Sequence, residues 1–111
     1  MIINPTKKTQ PLLSAIPKVQ DARQAKAFSL TNPFFSWHAN YFNVNRKKIL
    51  VLVNDLTLTP VVIYDVNAKN KAMLAEAIVA GIQAAFKLGV ISEYEIQRYL
   101  TLACEIEVNR G

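Results

Sequence analysis

The sequence contains a single histidine, His38, in the run Trp37-His38-Ala39-Asn40. Imidazole is the side chain best suited to proton transfer near neutral pH. In an extended strand His38 and Asn40 project from the same face. They form a candidate pair for binding or cleaving a phosphodiester, with His38 as general acid or base and Arg46 or Lys48 offsetting charge that develops on phosphate. The competing reading is structural: a His and an Asn on a sheet face satisfy one another or a nearby backbone group and fix the packing of Trp37 and Tyr41. No second acid or base is evident beside His38. Catalysis through His38 and Asn40 therefore stands as the alternative to a non-enzymatic role.

Arg46-Lys47-Lys48 separate two apolar stretches, where a hairpin tip would present three cations together to phosphates or to an acidic partner. Lys7 and Lys8 are candidates for the same basic surface, and Trp37 is the aromatic expected to flank it. Charges beside a very hydrophobic strand also discourage edge-to-edge aggregation, a role that needs no ligand. Phe34, Phe35, Trp37, Tyr41 and Phe42 make the densest aromatic cluster. Most belong in a core, and Phe34 and Phe35 beside Pro33 would mark a partner site if exposed. The charge distribution supports a use for the bases. Residues 1–48 hold eight Lys or Arg against the one acid Asp21, which is +7, and residues 49–111 hold five against seven acids, which is −2, in a chain of net +5. Such polarity attracts a phosphate backbone, an anionic surface or an acidic protein patch.

Other chemistries lack the residues they need. Asp55 and Asp65 end strands, Glu93 and Glu95 occupy a helix's first turn where its dipole favours them, and Glu105 and Glu107 lie in a tail. None makes a catalytic pair. One His and one Cys cannot build a usual zinc site, so no metal and no cofactor is expected. The glycine-rich phosphate loops and the Gly-x-Ser-x-Gly elbow are absent, which leaves nucleotide hydrolysis and standard serine chemistry without support. Cys104 reads as a small buried hydrophobe on the last helix, and a lone cysteine fits a reducing compartment.

Positioning these residues requires a sheet. From Phe34 to Val66 the chain concentrates aromatic and β-branched residues, broken at Asn43–Lys48 and Asn54–Thr59. A three-stranded antiparallel meander follows, with strands near 36–44, 47–54 and 59–65. A two-residue turn at Asn45-Arg46 would set Val44 opposite Lys47, Phe42 opposite Ile49, Asn40 opposite Val51 and His38 opposite Val53. One face then carries Trp37, Ala39, Tyr41, Leu50 and Leu52, the other His38, Asn40, Phe42, Ile49, Val51 and Val53. Both are largely apolar, so both need cover, from helices, from the N-terminal segment or from a second copy.

Residues 1–33 are punctuated by Pro5, Pro11, Pro17 and Pro33, which disfavours long regular structure; Ile2-Ile3 is a candidate extra strand and 18–29 has helix-compatible composition. Asn70 is placed to cap a helix running to Leu88, stopped by Gly89, and Ser92 and Glu95 form a capping box for a second helix. The expected class is α+β, a meander with an optional N-terminal strand packed on two C-terminal helices and no βαβ wrap. The whole chain, 1–111, reads as a single domain of three parts: 1–33, the meander 34–66 and the helical pair 70–107.

The run Trp37-His38-Ala39-Asn40-Tyr41-Phe42, the cluster Arg46-Lys47-Lys48, the strand Ile49-Leu50-Val51-Leu52-Val53-Asn54 and the later Pro60-Val61-Val62-Ile63 resemble a bacterial family catalogued as domain of unknown function 6933. The early Thr6-Lys7-Lys8 resembles that family's opening, and the similarity runs from about Ile2 to Leu100. The resemblance implies a small sheet-and-helix domain of bacteria or their mobile elements, and implies no activity, ligand or partner.

With no signal-type apolar segment and no apolar run near the ~20 residues that cross a bilayer, a cytoplasmic, non-membrane protein is expected. The leading expectation is a small non-enzymatic interaction or regulatory module that binds a protein or nucleic acid through Arg46, Lys47, Lys48, Lys7, Lys8 and Trp37. The alternatives are a metal-independent nuclease or phosphodiesterase using His38, and a structural homodimer.

Overall fold

Two apolar stretches joined by Asn45-Arg46 fold back on each other as strands β2 (Ser36–Val44) and β3 (Lys47–Asn54). The computed structural model describes residues 1–110. Asn45 and Arg46 both take positive φ, 50° and 67°, as a two-residue type I′ turn requires if its twist is to match that of the strands. The register is the expected one: Val44 opposite Lys47, Phe42 opposite Ile49, Asn40 opposite Val51 and His38 opposite Val53. Strand β4 (Pro60–Ile63) pairs antiparallel with β3 and opens on Pro60, whose missing donor is tolerated at a strand start.

The sheet extends beyond this meander on its other side. Strand β1 (Ile2–Pro5), the optional N-terminal strand, runs parallel to β2 with Ile2 opposite Ser36 and Asn4 opposite His38. Strand β5 (Glu107–Val108) runs parallel to β1, giving the order β4-β3-β2-β1-β5. A parallel pair needs a long crossover, and residues 6–35 supply it with helix α1 (Ala22–Thr31), capped by the Asp21 carboxylate on the amides of Arg23 and Gln24. The expected absence of a βαβ wrap is thus corrected. Pro5 ends β1 and Pro33 opens a short 3-10 turn, Pro33–Phe35, so both fall at element boundaries, while Pro11 lies inside the 3-10 stretch Lys7–Leu13 and none interrupts α1.

Helices α2 (Leu74–Leu88) and α3 (Glu93–Ala103) follow the meander. Ser92 caps α3 by accepting from the Glu95 amide at 3.2 Å, and the Gly89 amide closes α2 on the Ala85 carbonyl. Asn70 does not cap α2. Its side chain instead accepts from the Asn67 amide and donates to the Asp65 carbonyl, bracing the loop, and a 3-10 turn, Lys71–Met73, leads into the helix. The helical region also ends earlier than expected, at Ala103, because β5 claims Glu107 and Val108.

The α-helices cover the two sheet faces unequally. Against one face α2 and α3 bury Ile3, Trp37, Ala39, Leu50, Leu52 and Val61 with Ile78, Ile82, Phe86 and Ile96. The packing at β4 is close: a Cβ on Gly81 of α2 would lie 2.5 Å from Val61 Cγ1. On the other face α1 covers β1, where Ile2, Val19 and Ala25 form a small separate cluster. The rest of that face, across β2, β3 and β4, remains partly open, with Phe42, Val44 and Val62 exposed and Ile49, Val51 and Val53 half-buried.

Candidate functional site

The open face is laid out in rows by the register. From the turn inward they read Val44 and Lys47; Phe42 and Ile49; Asn40, Val51 and Val62; His38, Val53 and Pro60. Tyr64 follows β4 in alternation with Pro60 and Val62 and is 73% exposed, while Phe42 is 52% exposed. Two accessible aromatic rings therefore stand near the turn end of the face.

That end is also where cations gather. Arg46, Lys47 and Lys48 are all exposed around the turn. Strand β1 stops at Pro5, so the edge of β2 beyond Ala39 has no strand beside it, and the 3-10 stretch Lys7–Leu13 fills the space. This brings Lys8 Nζ to 4.9 Å from the Tyr41 ring centroid and 5.6 Å from that of Phe42, within cation–π range. Lys7 is exposed on the same segment. Among the described residues none of these five cations makes a salt bridge, and the one acid–base contact between side chains is that of His38 with Asp55.

Trp37, expected at the binding surface, does not belong to it. It points to the helix side, is fully buried, and donates from Nε1 to Tyr99 Oη at 3.0 Å; Tyr99 donates in turn to the Phe34 carbonyl at 2.7 Å. Burial pushes the Tyr99 hydroxyl up to about 12, against a smaller opposing effect of the Trp37 bond. Phe34 and Phe35 likewise pack on the core, 4.6 and 4.9 Å from the Tyr99 ring centroid. Cys104 departs from expectation in the opposite sense: it is exposed at the end of α3 with φ 57°, not buried within the helix. With φ 57° and ψ −145° the residue leaves the helical conformation at the end of α3, so its side chain does not continue the packed stripe.

His38 and Asn40 share the open face, but each has another partner. Asn40 Oδ1 accepts from the Thr6 hydroxyl at 3.1 Å and the Tyr41 amide at 2.8 Å. His38 Nδ1 pairs with Asp55 Oδ1, with the His side chain 68% exposed and that of Asp55 19%. Asp55 Oδ2 accepts from Ser36 Oγ at 2.5 Å, and Ser36 Oγ accepts from Asn4 Nδ2 at 3.1 Å. Asn4 Oδ1 accepts from Asn109 Nδ2 at 3.2 Å, so one polar chain crosses the sheet from β5 to the end of β3. The loop that carries Asp55 is braced from beneath by buried Asn54, whose Oδ1 accepts from the amides of Leu56 and Thr57 at 3.0 Å each.

Asp55, Ser36 and Asn54 are the residues that reading by motif overlooks. The signal was available: continuing the hairpin register two residues past His38 and Val53 sets Asp55 opposite Ser36, and the Asp55 amide does bond the Ser36 carbonyl at 2.9 Å. The same register separates the two candidate centres. His38 and Val44 are six residue steps apart along the strand, about 20 Å, so Arg46 and Lys48 cannot serve the same phosphate as His38.

The family model for a domain of unknown function, DUF6933, matches residues 2–110. The chain belongs to the DUF6933 family. No curated protein and no solved structure matches it. This DUF6933 domain has no helix long and apolar enough to cross a membrane and no group of three His, Cys, Asp or Glu placed to hold a metal ion among its described residues. Two concavities, of about 810 and 550 Å³, lie by the N-terminus and α1 and by α2 near Cys104; neither is lined by His38 or the turn cations. The accessible candidate residues of this DUF6933 member thus lie on or beside an open sheet face and outside both concavities.

Proposed function

We propose that this domain is a binding module whose open sheet face, at the β2–β3 turn, takes a single-stranded nucleic acid. The observation that carries the reading is the gathering of exposed Lys7, Lys8, Arg46, Lys47 and Lys48 around the turn end of the sheet, none in a salt bridge among the described residues, with Lys47 on the open face alongside exposed Phe42 and Tyr64. Cations attract the phosphate backbone by releasing its counterions, and exposed rings stack on unpaired bases regardless of sequence. An acidic protein patch would be drawn by the same charge; the exposed rings beside the cations favour nucleic acid, on whose bases they can stack. Self-association over the apolar rows is the runner-up, favoured by Phe42, Val44 and Val62, and light scattering that shows dimers at micromolar concentration would support it.

The reading is tested by amide chemical shifts during titration with a short uridine oligomer. Shifts confined to residues 40–50 and 62–65 are expected, together with changes in the ring protons of Phe42 and Tyr64. Shifts centred on α2 or α3, or none at all, would overturn it.

A further inference from the structure

The open face carries a second arrangement that binding does not require. His38 lies four residues along β2 from Phe42, about 14 Å by strand rise, so a strand stacked on Phe42 and Tyr64 passes within reach of its ring. Asp55 pairs with Nδ1, and Nε2 carries no hydrogen bond to another described residue. A neutral imidazole so held keeps its proton on Nδ1 and directs the Nε2 lone pair outward, the geometry of a general base. An exposed His–Asp pair adds little stability, yet here the carboxylate is fixed at both oxygens. Ser36 holds the second oxygen, Asn4 holds Ser36, and Asn54 braces the loop. Leu58 in that loop adopts φ 60°, a conformation unfavourable for a bulky side chain.

From this support we infer that His38 is a general base that cleaves RNA bound on the open face, with Asp55 as its positioning residue. The inference rests on the binding reading above. Ser36 cannot be the nucleophile, since it is buried and its hydroxyl is engaged by Asp55; the substrate therefore supplies one, and the ribose 2′-hydroxyl beside each phosphodiester is placed to do so. His38 Nε2 takes the 2′-hydroxyl proton as the 2′-oxygen attacks the adjacent phosphorus. The bond from phosphorus to the 5′-oxygen breaks, and that oxygen takes a proton from water. The imidazolium returns its proton to the resulting hydroxide, leaving a 2′,3′-cyclic phosphate and a 5′-hydroxyl end. No water is consumed, and DNA of the same sequence binds without being cut.

The test uses the full chain with a labelled single-stranded RNA and its DNA counterpart, reading binding by anisotropy and products by end-group analysis. Cleavage of RNA alone to cyclic phosphate ends is expected, falling by about 10²- to 10⁴-fold in His38→Ala, with DNA affinity and melting temperature unchanged. Asp55→Asn is expected to lower kcat with little change in KM, and an equal effect on both would remove its positioning role. RNA that is bound but never cut, or cut equally by His38→Ala, overturns the inference and leaves the binding reading in place. Cleavage that survives charge reversal of both Lys47 and Lys48 with unaltered affinity overturns the binding reading instead. Failure to bind either polymer and failure to cut RNA overturn both.

Discussion

Tyr99 ties the helices to the sheet by a chain of two hydrogen bonds, accepting from Trp37 Nε1 and donating to the Phe34 carbonyl. Tyr99→Phe removes the acceptor of a buried indole, and its expected cost is about 1–3 kcal/mol in urea unfolding at neutral pH. The same hydroxyl has an alkaline signature. Its folded value is pushed up from 10.0 to about 12, so above pH 10 the unfolded chain releases this proton first and the folded state loses stability as pH rises through that window. Unfolding followed from pH 9 to 12 should therefore fall less steeply in Tyr99→Phe than in the parent. At this scale the sequence reveals types but not partners. His38 stands out as a lone imidazole, whereas its carboxylate comes from a loop 17 residues away. Trp37 reads as the aromatic flanking the basic surface although most of its cluster reads as core, and the side of β2 it projects from, facing Tyr99 of α3, decides for core.

The β2–β3 hairpin was legible because a strand pattern of period two and a turn of fixed length jointly determine its register. The β1–α1–β2 crossover was not, because parallel pairing joins residues far apart in sequence and leaves no local trace. Strand β5 is two residues long, too short for any pattern to announce. Two substitutions probe these elements. Arg46 holds φ 67° in the turn, a conformation that glycine adopts without strain. Arg46→Gly should raise stability by about 1 kcal/mol while weakening the basic end, so melting temperature and nucleic-acid affinity should move in opposite directions. Gly81 sits mid-helix, where alanine is favoured by about 1 kcal/mol, but the added methyl meets Val61 at 2.5 Å. Overpacking of this kind costs about 1–3 kcal/mol. Gly81→Ala is expected to lower the midpoint of thermal unfolding, and an increase would show that α2 can shift away from β4.

On the scale of the molecule, exposed cations of the turn and of the Lys7–Lys8 segment gather at one end of the sheet. The helices that back the sheet carry Glu76, Glu93 and Glu95 with Lys87 and Arg98 and so little net charge, while the turn end of the sheet is cationic. The composition of the two halves of the chain foreshadows this separation. That Lys8 would join the turn cluster depends on β1 ending early enough to leave the β2 edge free. The central claim is that this end of the sheet holds a nucleic-acid strand largely by charge. The most direct measurement is the dissociation constant of a single-stranded uridine oligomer across a salt series, for the parent and for Lys47→Glu with Lys48→Glu. Four to five neutralised phosphates predict a log–log slope of about −3, and loss of two of those contacts should flatten it by about 1.4. An affinity indifferent to salt, or a slope unchanged by the double reversal, would contradict the account.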